Sequence, residues 1–141
     1  MLKHVSHVNV WVHDQDEALE FYTGKLGFEV REDVTLEQFG DYRWLTVGPA
    51  SQPELQLILS IPGPPALDPE VAEQLLGLVA QGALSGSGMA IFHADDVRAT
   101  YEDLRARGVE FTQEPAERSY GIDAAFRDPS GNGFRIVQRA G

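Results

Sequence analysis

The stretch HVNVWVHDQDEALEFYTGKLGFEV, residues 7–30, changes its hydrophobic period twice. Val5, Val8, Val10 and Val12 sit among His7, Asn9, Trp11 and His13, the period-two pattern of a half-buried strand with the valines on one face and His7, Asn9 and Trp11 on the other. Asp14 then stands where a helix needs a side-chain oxygen for its first free N–H groups, and Ala18, Leu19, Tyr22 and Leu26 follow at helical spacing. Gly27 ends that helix, and Phe28 and Val30 open a second strand. Further on, Tyr42 to Val47 reads as a third strand closed by Gly48-Pro49, and Glu54 to Ser60 as a fourth. In the fourth, Leu55, Leu57 and Leu59 oppose Gln56, Ile58 and Ser60. The order is βαβββ.

From Met89 the pattern starts again. MAIFHA (89–94) alternates, Asp95-Asp96 caps a helix carrying Val97, Tyr101 and Leu104, and Gly108 ends it before VEF. Ala124–Arg127 and Gly133–Gln138 supply two more strands around the turn DPSGN (128–132), in which turn chemistry accounts for every residue. Sliding the halves by 81 residues places Asp14 on Asp95, Ala18 on Ala99, Gly27 on Gly108 and Glu29 on Glu110, the signature of an internal duplication. The chain is therefore expected to be one α+β domain, 1–141, built of module one (1–60), a connector (61–88) and module two (89–141). Within the connector, IPGPP cannot be helical, Asp68-Pro69-Glu70 starts an amphipathic helix over 69–81, and GALSGSG gives a flexible exit. That helix has three readings: a lid, a dimer contact, or packing within the chain.

Composition narrows function. Eleven Lys and Arg stand against 22 Asp and Glu, a net charge of -11, which repels nucleic acid and anionic lipid. The absence of Cys removes disulfides, thiolate metal sites and thiol nucleophiles, and suits a reducing cytoplasm. MLKHVSHVNVWV is not a signal peptide, and no apolar run is long enough to cross a membrane, so a cytoplasmic location is expected. No Gly-x-Ser-x-Gly elbow or phosphate-cradling glycine loop occurs.

The string from Asp14 through Phe21-Tyr22 to Leu26-Gly27-Phe28, together with DDVRATYEDLRARGVEF (95–111) and FRDPSGNGFRIVQ (126–138), resembles the vicinal oxygen chelate superfamily of glyoxalases, bleomycin-resistance proteins and dioxygenases. The resemblance covers nearly the whole chain. It implies an open, cup-shaped mixed sheet made of the two modules, and a homodimer. It also implies that the four strand positions able to hold a divalent metal in the superfamily fall on His7, Gln56, Met89 and Arg135. Strand parity puts these four opposite Val8, Leu57, Ala90 and Ile136.

Only His7 is a good donor at those positions. Gln56 is neutral, Met89 is a soft thioether, and Arg135 is a cation with no lone pair to give. No metal and no other cofactor is therefore expected. The first functional reading is a protein that binds a small organic molecule, anionic or aromatic, with His7, Trp11, Arg43, Gln56, Ile58, Met89, Ile91 and Arg135 around it. Arg135 would pair with an acidic oxygen, and Arg43 or Trp44 would stack at the rim. The alternative is an enzyme of lyase or dioxygenase type, using His7 and its neighbours with an unusual metal set or by acid–base chemistry. A regulatory module without a ligand is the third reading.

Overall fold

The computed structural model describes residues 1–141. Its elements run β1 (His7–Trp11), α1 (Gln15–Leu19), β2 (Glu29–Leu36), β3 (Tyr42–Gly48), β4 (Gln56–Ser60), α2 (Pro69–Ala80), β5 (Ile91–His93), α3 (Val97–Ala106), β6 (Glu110–Arg118), β7 (Gly121–Arg127) and β8 (Gly133–Arg139). They form two open four-stranded mixed sheets, ordered β1-β4-β3-β2 and β5-β8-β7-β6. The same element order in each sheet gives two tandem βαβββ modules. Two compact units divide at Leu76/Gly77, inside α2. No helix is long and apolar enough to cross a membrane.

In the first unit β1 runs parallel to β4, with His7 opposite Gln56, Val8 opposite Leu57, and Asn9 opposite Ile58. The alternation sends Val10, Val12, Leu57 and Leu59 inward, where all are essentially buried. They meet Ala18, Phe21 and Tyr22 of the helical segment, likewise buried. Val5 lies before the strand and is exposed. The period-two reading therefore begins at His7, because a parity break between Val5 and Val8 cannot place both on one face.

The helix caps refine the duplication. Asp14 accepts from the backbone of Glu17, and its counterpart Asp96, not Asp95, accepts from Ala99. The stop glycines Gly27 and Gly108 both have positive φ, 76° and 91°. Cap-to-glycine spacing is thus one residue longer in the first module. The wide turn Glu20–Lys25, a π-helical segment following α1, takes up that residue, with the N–H of Leu26 reaching back to the carbonyl of Phe21.

In the second unit β5 is shorter than the expected 89–94, although the ladder continues before it through the bond from the N–H of Met89 to the carbonyl of Gly133. β7 starts three residues earlier than the apolar run at Ala124. Phe126, Phe134 and Ile136 fill the helix side, where the Phe92 ring stacks on Phe126 and tilts against Phe134. Gln138 accepts from the first N–H of α3, tying that helix to β8. At the end of α2, Val79 is buried and the Ala80 carbonyl accepts from Arg127. For this end of α2, packing within the chain is the reading realised.

The turn 128–132 is held by one side chain. Asp128 Oδ1 accepts from the N–H groups of Ser130, Gly131 and Asn132, and its Oδ2 accepts from Asn132 Nδ2. Asp128, Ser130 and Asn132 are buried, so this polar cluster is satisfied internally.

Candidate functional site

The face of each sheet turned away from its helices carries the candidate residues. In the first unit this face holds His7, Asn9, Trp11, Trp44, Thr46, Gln56, Ile58 and Ser60, as the β1–β4 and β3–β4 registers require. The His7 and Trp44 rings lie 5.8 Å apart, tilted by 51°. Gln56 Oε1 accepts from Thr46 Oγ1 at 2.7 Å, and Ser60 Oγ donates to Asn9 Oδ1 at 2.6 Å. Nδ1 of His7 is 2.9 Å from Ser6 Oγ, so Gln56 orders against Thr46 and not against His7.

Arg43 is elsewhere. Its parity follows Leu45 and Val47, so it points to the helix side, opposite to Trp44. There its guanidinium grips Asp33 through two bonds, at 2.9 and 3.0 Å, and Asp16 of α1 at 2.7 Å. These bonds raise the Arg43 pKa further and, outweighing burial, hold Asp33 below the usual carboxylate value. Arg43 joins helix to sheet and faces no ligand surface. The sequence could not separate the two roles, because the parity of β3 depends on where pairing with β4 sets in.

In the second unit the outer face of the sheet forms an open depression of about 1050 Å³. Ile91 and Val137 are its apolar wall, and Arg135, Asp123, Tyr120 and His93 are its polar points. Arg135 lies directly opposite Ile91 in the β5–β8 ladder, whereas Met89 lies two residues earlier, beside Gly133.

Arg135 is not alone. Its Nη1 donates to Asp123 Oδ2 at 2.9 Å and to Gln113 Oε1 at 3.1 Å. Asp123 is fully buried and accepts four side chains in all. Besides Arg135 these are Tyr120 Oη at 2.6 Å, Gln113 Nε2 at 2.9 Å and Arg118 Nε at 3.4 Å. Burial alone would push this carboxyl up. The hydrogen bonds from Tyr120, Gln113 and Arg118 and the charge of Arg135 outweigh it, and the pKa lies below the usual value. The same contact with Asp123 raises the Tyr120 pKa, so the phenol stays protonated.

Asp123, Gln113, Tyr120 and Arg118 do not stand out in the sequence. A signal exists for Asp123 alone: extending the strand at Ala124 back by three residues puts position 123 on the face of 125 and of Arg135. Gln113 lies between two register shifts in β6, which no periodicity reveals.

At the positions that the resemblance assigns to a divalent metal, the side chains are one imidazole, one amide, one thioether and one guanidinium. No group of three His, Cys, Asp or Glu side chains is arranged to hold a metal ion. Of these four only the imidazole is a good donor for a hard or borderline divalent cation, and the Arg135 guanidinium, with no lone pair to give, would oppose one.

The sequence model of the Glyoxalase/Bleomycin resistance protein/Dioxygenase superfamily matches residues 4–136. The chain belongs to this superfamily. Among solved structures of the superfamily's fold, UcmS2 is 47% identical, with a TM-score of 0.89 over 98% of this chain and 99% of that one. TnmS3, an antibiotic binding protein from Streptomyces sp. CB03234, is 29% identical, with a TM-score of 0.75 over 99% of this chain and 98% of that one. The uncharacterized protein YurT of Bacillus subtilis (strain 168) is 36% identical over 132 residues, 93% of this chain and 95% of that protein. Superfamily membership accounts for the tandem βαβββ modules; it does not distinguish binding from catalysis, which rests on the side chains.

Proposed function

We propose that this member of the superfamily binds a small organic molecule, anionic or aromatic, and holds it without chemical change and without a metal. The observation that carries the reading is Arg135. It replaces a metal donor with a fixed cation, set between the apolar residues Ile91 and Val137 on an open concave face. One edge of its guanidinium is committed to Asp123 and Gln113; Nε and Nη2 have no protein partner. A planar fork so oriented suits a carboxylate or an ionised ring oxygen, and the apolar wall suits the rest of an aromatic molecule. The likeness to TnmS3, named for antibiotic binding, supports the binding of a small molecule. His7, Trp11, Trp44, Gln56 and Ile58 offer a second aromatic and amide-bearing surface in the first unit, with no carboxylate among them to serve as a general base. A cytoplasmic homodimer completes the proposal.

The test is elemental analysis of the purified protein, joined to thermal shifts with chelator, with Ni, Zn, Mn and Fe ions, and with a panel of aromatic carboxylates and planar antibiotics. Binding predicts no stoichiometric metal, no shift with chelator or ions, and a rise in Tm with members of the panel. A stoichiometric metal whose removal lowers Tm would replace this reading with that of a metal-dependent lyase or dioxygenase.

A further inference from the structure

Tyr120 sits in the β6–β7 turn, half exposed, and lines the depression beside Arg135. Its hydroxyl and Arg135 Nη1 both bond one atom, Asp123 Oδ2, at 2.6 and 2.9 Å. That shared, buried oxygen fixes the two groups side by side. An ionised carboxylate only accepts, so the phenol proton of Tyr120 is committed to Asp123, and what the Tyr120 oxygen still offers is an acceptor. Arg135 is the reverse. Its unbonded Nε and Nη2 are donors only. The pocket thus presents a cationic donor edge next to a neutral acceptor. Among the lining residues, Arg135 and Arg139 stand against the single carboxylate of Asp123, a local positive balance on a chain of net charge -11.

Resting on the binding reading above, the geometry points to a narrower ligand class: a planar aromatic monoacid that also carries a ring hydroxyl. The acid oxygens take the outer edge of Arg135, and the hydroxyl donates to Tyr120 Oη. Such a molecule satisfies both groups at once. A plain aromatic acid leaves the Tyr120 acceptor unused, and a ring ammonium in place of the hydroxyl would face Arg135. A hydroxyl ortho to the acid would bond its own carboxylate, so the preferred hydroxyl is one carbon further away. Asp123 is the positioning residue for both contacts. It touches the ligand through neither, and sets the direction in which each can bond.

Three probes separate the contacts: 4-hydroxy-2-naphthoate, 2-naphthoate and 4-hydroxy-2-naphthamide. Each is titrated into the full chain by calorimetry, with the methyl resonances of Ile91 and Val137 reporting the site. The hydroxy acid is expected to bind about tenfold more tightly than either of the other two, as one hydrogen bond or one charge-assisted contact would give. Tyr120→Phe should bring the ratio of hydroxy acid to plain acid to about one while leaving the preference for acid over amide. Arg135→Gln should do the opposite. Equal affinities in the wild-type chain, or a hydroxyl preference that survives Tyr120→Phe, overturn the inference while binding at Ile91 and Val137 keeps the broader reading. Methyls that move with none of the three probes, in the same titrations, refute both.

Discussion

Asp123 and Arg135 are diagonal neighbours on adjacent strands, Asp123 opposite Val137 and Arg135 opposite Ala125, and a 2.9 Å bond joins them. Their surroundings differ sharply: 1% of the Asp123 side chain is exposed, against 33% of Arg135. The carboxylate is the fixed member of the pair and the guanidinium the accessible one. This asymmetry decides what each substitution costs.

Asp123→Ala removes the acceptor shared by Tyr120, Gln113, Arg118 and Arg135 and leaves a void in the sheet face. It should lower stability by about 3 kcal/mol, softened because both arginines can reach water. Arg135→Met leaves Asp123 with three donors and should cost about 1 kcal/mol. Urea unfolding at neutral pH compares them; equal costs would contradict the burial asymmetry.

The Asp123 carboxyl titrates below its ordinary value of 3.8 in the folded chain. A group with a lowered folded pKa contributes stability above its unfolded pKa and loses it as pH falls through the folded one. Unfolding free energy should therefore decline as pH drops below about 4–5, with a shallower decline in Asp123→Asn than in the wild-type chain. Parallel acid limbs for the two proteins would show that Asp123 is not among the groups responsible.

Two glycines should respond with opposite signs. Gly131 has φ of 108°, and a Cβ there runs into the Val79 carbonyl and the backbone of Ala80, so Gly131→Ala should cost about 3 kcal/mol or more. Gly77 lies within α2 with open space where a methyl group would stand, so Gly77→Ala should add about 0.5–1 kcal/mol. Thermal melts of the two variants should bracket the wild-type Tm.

The caps test the alignment of the modules. Asp14→Ala and Asp96→Ala should each cost about 1 kcal/mol, since each removes an acceptor for a free N–H at a helix start. Asp95→Ala should stay within about 0.5 kcal/mol, because Asp95 is exposed and caps nothing. A larger loss at Asp95 than at Asp96 would restore the 81-residue alignment of the helix starts.

Much of the site is legible in the sequence wherever it depends on parity within one strand. Gln56 and Ile58 share a face of β4, as Arg135 and Val137 share a face of β8, because alternation is a property of the extended backbone itself. The sequence alone misplaces Arg43 for a nonlocal reason. Its two acidic partners lie 10 and 27 residues away in sequence, on β2 and α1, and only packing brings them to one side of β3.

By itself, then, the sequence determined the repeated βαβββ order, the cap-and-glycine limits of the helices and the turn at 128–132. Each follows from residue chemistry or from spacing within a few residues, where backbone geometry leaves little freedom. The tertiary structure alone decided that Arg135 is held by Asp123, that Tyr120 becomes an acceptor beside it, that Arg43 serves the helix side, and that a π-helical turn absorbs the extra residue of the first module. These depend on register between strands distant in sequence. Interstrand hydrogen bonding sets that register cooperatively, and a shift of one residue would turn every side chain to the other face.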